Sequence, residues 1–170
     1  MPRRGRTAFD YPTAMFVTTT AAAWERLFDS PEVRDKVEDI LFGCVDVSGV
    51  SLMGYCLMPN HAHLIAGHND GGPAISAFVG GFKSIVSRRL FPSRHGIWMK
   101  RFDDVVLRSE AVFLTKLNYI HENPVRAGLV SPAANWKWSS ARFWLLDEPS
   151  AALTNNWNWL DAKSTAIRNG

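Results

Sequence analysis

The chain has few cysteines and no long apolar run. Cys44 and Cys56 are its two cysteines, and their spacing fits neither a zinc knuckle nor a dithiol redox motif. We therefore expect both to be small buried hydrophobic residues in a reducing compartment. No apolar stretch approaches the roughly 20 residues that cross a bilayer, and no hydrophobic signal core follows the first arginines. The sequence favours a cytoplasmic protein without a membrane partner.

Internal repeats, low-complexity blocks and a linker between domains are also missing. At 170 residues, with 46% hydrophobic and 21% charged side chains, the chain is typical of one globular domain with a substantial core. We place this domain at residues 1–146. Residues 147–170 have weak periodicity, and we treat them as a C-terminal tail of unknown role.

Acidic residues are absent from Gly71 to Phe102, whereas most acids of the first third lie between Glu25 and Asp46. Basic residues occur throughout the acid-free stretch and also in the N-terminal tail. One face is therefore predicted to be basic, which suits a polyanion such as nucleic acid. An ordinary solvated surface explains the same charges equally well. The basic residues in question are Arg3, Arg4, Arg6, Lys83, Arg88, Arg89, Arg94, Lys100 and Arg101.

Hydrophobic periodicity predicts alternating strands and helices. Ser30 and Ser109 are predicted N-caps, and Gly43 is expected to end the first helix. The order β-α-β-β-α-β is that of a ferredoxin-like (RRM-like) α+β fold, whose antiparallel sheet leaves one face open for a ligand. A further helix, bearing Tyr119, follows the last strand. The predicted strands cover residues 14–20, 47–58, 61–67 and 98–107, and the predicted helices cover 31–42, 75–90 and 109–121.

Two histidines and a distant tyrosine form the candidate site. If MPNHAHLI enters a strand, His61 and His63 point to one face. A helix through Tyr119 places Asn123 one turn along on the same side, so that two imidazoles, a carboxamide and a phenol converge. Such a set can hold a divalent cation beside a nucleophile for attack on a phosphodiester. Taken singly, the histidines are more often hydrogen-bonded structural residues, and a helical tyrosine is more often core.

Five segments occur in the order typical of one protein family. They are YCLMPNHAHLI, FKSIVSRRL, WMKRFDDVVLRS, YIHENPVRAGLV and WKWSSARFW. Together they resemble the single-tyrosine HUH transposases, and most closely the REP-associated tyrosine transposases, bacterial proteins linked to repetitive extragenic palindromes (REPs). The resemblance covers roughly residues 10 to 145, and the shared order makes a chance match improbable. It does not include the tail after Leu146.

The resemblance implies roles for the candidate residues. His61 and His63, with Ala62 between them, are the HUH metal pair, Tyr119 is the nucleophile, and Asn123 is the third metal ligand. Some relatives carry Gln at that last position. Neutral donors without a thiolate favour Mg²⁺ or Mn²⁺ over structural zinc. Attack by the tyrosine gives a 5′-phosphotyrosine and a 3′-hydroxyl, and the reverse step joins strands without ATP.

The expected function is therefore that of a metal-dependent endonuclease and strand transferase acting on single-stranded DNA with a palindromic hairpin. We expect a nucleoid-associated protein that is a monomer, although relatives also work as dimers. A non-catalytic DNA or RNA hairpin-binding module on the same fold is the alternative. The expected phosphate contacts are Arg3, Arg4, Arg6, Lys83, Arg88, Arg89, Lys100, Arg101 and Arg126.

The other histidines offer no obvious general base for the tyrosine. His121 follows Tyr119 by two positions and need not face it, and we interpret it as a surface or helix-end residue. His68 and His95 are expected to lie in loops. The sequence thus leaves the acceptor of the phenol proton unassigned.

Overall fold

The computed structural model describes residues 13–68 and 75–157. Arg3, Arg4 and Arg6, together with residues 158–170 of the predicted tail, lie outside this part of the chain. The elements are β1 (Thr13–Thr20), α1 (Pro31–Ser48), β2 (Ser51–Leu57), β3 (His61–His68), α2 (Ile75–Leu90), β4 (Asp103–Leu107), α3 (Glu110–Arg126) and α4 (Ala141–Leu145), with short 3₁₀ turns at Ala22–Trp24 and Ala133–Asn135.

The strands form one four-stranded sheet in the order β2-β3-β1-β4, and every pair of neighbours is antiparallel. The predicted α+β class, antiparallel sheet and order of elements are confirmed. Thr18 of β1 pairs with His63 of β3 on one side and with Asp103 of β4 on the other. Because paired residues point to the same face, His63, Thr18 and Asp103 form one row across the sheet.

Helices α1 and α2 cover one face of this sheet. Their apolar residues, including Leu41 and Phe82, pack with Leu64 in the larger core cluster. Helix α1 begins as predicted, since Ser30 Oγ accepts a hydrogen bond from Val33 N at 3.2 Å. The predicted end at Gly43 was wrong, because α1 continues to Ser48 and ends at Gly49, whose φ is +72°.

The reason for this longer helix is burial. Continuing past Gly43 carries Val45 into the core, where it is buried. A glycine inside a helix costs about 1 kcal/mol relative to alanine, whereas burying a valine contributes about 1.5–3 kcal/mol. The helix therefore runs on until Gly49 adopts the left-handed conformation.

The second face of the sheet is not open, contrary to expectation. Helix α3 packs on it through Phe113, Leu117 and Ile120, which join Phe16 in a second core cluster. At Gly54 of β2, a side-chain Cβ would lie 2.8 Å from Leu117 Cδ1. The glycine therefore allows α3 to approach the strand closely, and the helix that bears Tyr119 is held against the sheet of its own chain.

Two further predicted boundaries were wrong. The last strand was expected from residue 98, but β4 begins at Asp103, and Trp98 forms an isolated bridge with Ala21. Helix α3 was expected to stop at His121, yet it runs through Pro124 to Arg126. Pro124 lies inside the helix and is buried. The backbone hydrogen bond from Ala127 N to Asn123 O continues the turn beyond it.

The segment after α3 covers the outer edge of β2. Leu57 N donates to Trp138 O at 2.8 Å, and Ser140 N donates to Tyr55 O at 2.9 Å. Cys56 is buried and Cys44 is half-buried, and both are free thiols. Across residues 13–68 and 75–157, no helix combines the length and apolar character needed to cross a membrane.

Candidate active site

The two histidines of β3 face the side of the sheet on which α3 packs. Alternation along the strand sends Ala62 to the other side, where it joins the larger core cluster. The imidazole Nε2 atoms of His61 and His63 lie 3.1 Å apart. Their rings are nearly perpendicular, with centroids separated by 4.7 Å. The predicted convergence of the two imidazoles is therefore observed.

Hydrogen bonds at the far side of each ring fix the protons. His61 Nδ1 lies 2.6 Å from Asn60 Oδ1, an acceptor, so this nitrogen carries the proton. His63 Nδ1 lies 2.8 Å from Thr18 Oγ1, and its Nε2 lies 2.7 Å from the Asn123 amide nitrogen, a donor. With the amide in this orientation, His63 Nε2 accepts and the ring proton is on Nδ1, which donates to Thr18 Oγ1. Both Nε2 lone pairs consequently point into the same space.

Asn123 closes this space from α3. Its Nδ2 lies 3.3 Å from His61 Nε2 as well as 2.7 Å from His63 Nε2. Rotating the amide by 180° exchanges the positions of its nitrogen and oxygen. Oδ1 then faces the two Nε2 atoms and becomes the third candidate ligand atom. Two ligands in neighbouring corners of an octahedron, each ~2.1 Å from a cation, lie ~3.0 Å apart. The two imidazoles have this spacing, so these residues could hold a divalent cation.

In the described portion of the chain, no cluster of three or more His, Cys, Asp or Glu side chains is placed to hold a metal ion, so no carboxylate or thiolate there joins the two imidazoles as a third ligand. A cation bound here would take its third protein ligand from the Asn123 amide. The sequence signal that identifies Asn123 is its position one helical turn after Tyr119.

Burial keeps both imidazoles neutral. It lowers the pKa of His61 from 6.5 to about 4. The pKa of His63 falls to about 3, chiefly through burial and then through its electrostatic interactions with His61, Arg126 and Lys116. Neutral imidazoles keep their Nε2 lone pairs at neutral pH, as a metal ligand must.

Tyr119 lies beside this pair on α3. Its ring centroid is 5.7 Å from that of His63 and 6.3 Å from that of Phe16, and Phe16 in turn stacks on His63. Tyr119 is 46% exposed, although Leu117 and Ile120 of the same helix are buried. The structure thus presents an accessible phenol next to the imidazoles, rather than a core tyrosine.

Two cationic side chains flank the phenol. The guanidinium carbon of Arg126 lies 4.4 Å from the centre of the Tyr119 ring, and Arg126 Nη2 donates to Tyr119 O at 2.8 Å. Lys116 Nζ lies 5.1 Å from the Phe16 ring centre and 5.9 Å from that of Tyr119. Arg126 was expected near DNA, but Lys116 was missed. Its signal was a basic residue one helical turn before the tyrosine.

The other expected phosphate contacts lie elsewhere in the fold. Lys83, Arg88 and Arg89 belong to α2, on the opposite face of the sheet from α3. Lys83 Nζ donates to Met99 O at 3.1 Å. Lys83 and Lys100 line a cavity of about 390 Å³ together with Phe102. Of the expected phosphate contacts that the structure describes, Arg126 lies against Tyr119. Lys83, Arg88 and Arg89 of α2 lie on the opposite face of the sheet.

Two of the remaining histidines differ from expectation. His121 is buried rather than superficial, and its Nε2 lies 2.8 Å from Ser140 Oγ. Burial lowers its pKa to about 4. His68 is the last residue of β3 and is also buried, so its expected place in a loop was wrong. His95 is exposed in the loop between α2 and β4, as predicted.

The chain is similar to a curated protein in sequence and to solved structures in fold. No family model matches the chain. A protein from Haemophilus influenzae that carries the provisional name of REP-associated tyrosine transposase is 29% identical over 99 residues. The match spans 50% of this chain and 55% of the relative, so it covers about half the length of that protein.

Among solved structures, a REP-associated tyrosine transposase bound to a REP hairpin superposes with a TM-score of 0.72 and 17% identity, covering 95% of this chain and 96% of that one. A provisionally named transposase from Deinococcus radiodurans gives a TM-score of 0.51 and 22% identity, covering 71% and 96%. At these identities the two structures establish the shared fold. The resemblance of this chain to the REP-associated tyrosine transposases is thus confirmed in sequence by a curated relative and in fold by a solved neighbour.

Proposed function

We propose that this protein is a metal-dependent endonuclease and strand transferase for single-stranded DNA, acting at hairpins of repetitive extragenic palindromes through a 5′-phosphotyrosine. The observation that carries the proposal is an exposed phenol 5.7 Å, ring centre to ring centre, from one of two imidazoles whose lone pairs converge. Likeness to transposases, one of them bound to a REP hairpin, supports the class of substrate. The strand order β2-β3-β1-β4 supports the ferredoxin-like assignment of the fold.

His61, His63 and Asn123 are the residues that we expect to hold Mg²⁺ or Mn²⁺. When bound, the cation supplies Lewis-acid stabilisation of negative charge on a phosphate oxygen. The chain's own contribution is to keep two neutral donors and an amide within 3.3 Å of one another before any cation arrives. Asn60 and Thr18 hold the two rings in the required tautomers.

Tyr119 supplies the nucleophile in this proposal. Its oxygen bonds to phosphorus as the bond from phosphorus to the 3′ oxygen breaks, which leaves a 5′-phosphotyrosine and a 3′-hydroxyl. The phenol gives its proton to solvent and the departing 3′ oxygen takes one up. His121 has no part in this transfer, because it is buried against Ser140. One phosphodiester replaces another of similar energy, so a second 3′-hydroxyl can reverse the step.

The arrangement favours a flexible single strand and a single copy of the chain. An unpaired strand can bend to bring its phosphate to a phenol that stands beside a helix, whereas a duplex is stiff. Helix α3 packs on the sheet of its own chain through Leu117 and Ile120, so the phenol and the imidazoles come from one molecule. We therefore propose that the monomer is the active form.

The decisive experiment uses a REP palindrome from the source genome, made as a single strand that folds into a hairpin with unpaired flanks. One preparation is labelled at the 3′ end and the other at the 5′ end. With Mg²⁺ or Mn²⁺, we expect the 3′ label to migrate with the denatured protein and the 5′ label to appear on a shorter strand. Tyr119→Phe and a chelator should each abolish both products, while a scrambled palindrome should give neither.

The same samples test the alternative of a hairpin-binding module. Tyr119→Phe should bind the hairpin as tightly as the wild type, because the lost hydroxyl takes part in chemistry rather than in affinity. If the wild type binds the hairpin and no covalent product forms with any divalent cation, the catalytic proposal is wrong and the binding module is favoured. Preference for RNA of the same sequence would indicate an RNA-binding module instead.

A further inference from the structure

Lys116 is a cation beside the phenol, and it forms no ion pair with the carboxylates that the structure describes. It is half-buried on α3, one turn before Tyr119, and its Nζ lies 5.1 Å from the Phe16 ring centre. Within residues 13–68 and 75–157, the carboxylates that form ion pairs are Asp29, Glu25 and Asp35, and none of them pairs with Lys116. A half-buried ammonium that lies over the rings of Phe16 and Tyr119 is well placed for an anionic ligand.

Arg126, the other cation at the phenol, is already engaged. Its guanidinium lies over the Tyr119 ring, and its Nη2 donates to the Tyr119 carbonyl oxygen. These contacts tie the side chain to the tyrosine and orient the ring. Arg126 therefore acts on Tyr119 itself, whereas the Lys116 ammonium has its donors available for a group that approaches the ring from solvent.

Two positive side chains act on the site before any metal ion is added. Lys116 and Arg126 both interact electrostatically with His63, and the two imidazoles are neutral. Tyr119, Phe16 and Asn123 contribute no charge, and Asp103 is a carboxylate in the row of His63, on the far side of Thr18. The two cations outnumber this carboxylate. Since a phosphodiester carries one negative charge, a strand placed against Tyr119 meets a matching field rather than a repulsive one.

We propose that Lys116 is a catalytic residue that contacts a non-bridging oxygen of the phosphate attacked by Tyr119. This inference rests on the proposed function. As the Tyr119 oxygen bonds to phosphorus and the bond to the 3′ oxygen breaks, negative charge on the non-bridging oxygens is balanced by the ammonium. The phenol proton leaves to solvent, the departing 3′ oxygen is protonated, and Lys116 keeps its own proton throughout.

The first test compares Lys116→Gln with Lys36→Gln, which removes the same charge from an exposed position of α1 on the other face of the sheet. With saturating enzyme, the rate of adduct formation should fall about 100-fold for Lys116→Gln, within the range for loss of one donor to a developing charge, and should be unchanged for Lys36→Gln. Lys116→Arg should recover most of the rate. Thermal stability of all three variants should match the wild type, and saturating enzyme keeps any loss of hairpin affinity in Lys116→Gln out of the measured rate.

The second test removes the charge from the DNA. The wild type first locates the cleaved linkage, which is then replaced by a neutral methylphosphonate. On this substrate, Lys116→Gln and wild type should react at rates within about threefold of each other, because the ammonium has no anion to balance. An equal loss on charged and neutral linkages would show that the lysine has only a structural role, and the inference would be wrong.

The outcomes separate this inference from the proposed function. If the wild type forms no adduct with any single strand, the proposed function and the role of Lys116 are both refuted. If the wild type reacts and Lys116→Gln reacts at the same rate on the natural linkage, the role of Lys116 alone is refuted and Tyr119 remains the nucleophile.

Discussion

Asn123 is the residue on which the proposed ligand set most depends, because its amide reaches both histidines of the sheet from the helix of the nucleophile. Its amide nitrogen lies 2.7 Å from His63 Nε2, and no carboxylate or thiolate within the described ranges completes the cluster. An amide is a weak ligand compared with a carboxylate. The site should therefore bind its cation with modest affinity, in which the third donor matters.

We predict that Asn123→Ala weakens Mn²⁺ binding by about tenfold or more, since the methyl group offers no oxygen. Calorimetric titration of the protein without DNA measures this directly. Asn118→Ala is the matched control, because Asn118 is an exposed asparagine of the same helix. Equal affinities in the two variants would show that Asn123 is not a ligand.

His121 links pH to stability. Its folded pKa is about 4 and its unfolded value is 6.5, so between these pH values the unfolded chain binds a proton that the folded chain lacks. The free energy of unfolding should therefore fall as pH drops from 6.5 towards 4. For this one residue the slope approaches about 1.4 kcal/mol per pH unit.

Urea denaturation at a series of pH values, with chelator present, measures this effect. His121→Gln should reduce the slope by up to that amount, whereas replacing the exposed His95 in the same way should leave the slope unchanged. A variant that keeps the full slope would show that other groups account for the acid sensitivity.

At the scale of elements, the position of α3 on the sheet decides whether phenol and imidazoles meet. Leu117 and Ile120 pack directly over Gly54, where a Cβ would lie 2.8 Å and 3.4 Å from their terminal carbons. An added Cβ at this position requires Leu117 Cδ1 to move, by rotation of the leucine side chain or by displacement of the helix. The glycine of β2 therefore helps to set the distance between Tyr119 and His63, although it contacts neither.

We predict that Gly54→Ala lowers the free energy of unfolding by about 1–3 kcal/mol, as expected for overpacking. Adduct formation should slow as well. Gly81→Ala is the control, because Gly81 lies inside α2 with no atom within 4 Å of the added carbon. That change should be neutral or stabilise by up to about 1 kcal/mol. Equal stability of the two variants would show that α3 can adjust without cost.

Local signals predicted the start of each helix but not every end. Ser30 and Ser109 were recognisable because a cap needs only its own side chain and the next turn, and both accept the expected bonds. The ends depended on burial of residues further along, such as Val45 after Gly43. The third helix was predicted to stop at residue 121, whereas α3 continues through Pro124, which is buried inside it.

The candidate site shows the same division. His61 and His63 were predictable because strand alternation is local, and Asn123 because it follows Tyr119 by one helical turn. Lys116 was missed because its importance depends on Phe16, a residue of a different strand. The burial of His121 depended on Ser140, which a separate segment brings to the helix.

At the scale of the whole molecule, the basic residues lie on two faces. Arg126 and Lys116 flank Tyr119, whereas Arg88 and Arg89 end the α2 helix on the other side of the sheet. A bound strand that reaches both sets must pass around an edge of the sheet. The contribution of α2 to binding therefore reports how far the DNA extends around the protein.

We predict that hairpin binding weakens steeply with salt and that the double variant Arg88→Gln with Arg89→Gln makes this dependence shallower. Loss of two contacts with a single strand should reduce the slope of log K against log salt by about 1.4. Fluorescence anisotropy at several salt concentrations measures the slope. Lys36→Gln should leave it unchanged, and an unchanged slope in the double variant would confine the DNA to the face of Tyr119.

Tyr119 is the exposed tyrosine of the described chain, since Tyr55 is buried and donates its hydroxyl hydrogen to Glu38. Under the proposed chemistry, each molecule consequently has one place to store a captured DNA end. It must discharge that end before it can capture another, so cutting and joining alternate in time. In a burst experiment, the captured label should plateau at one strand per chain, however great the excess of DNA.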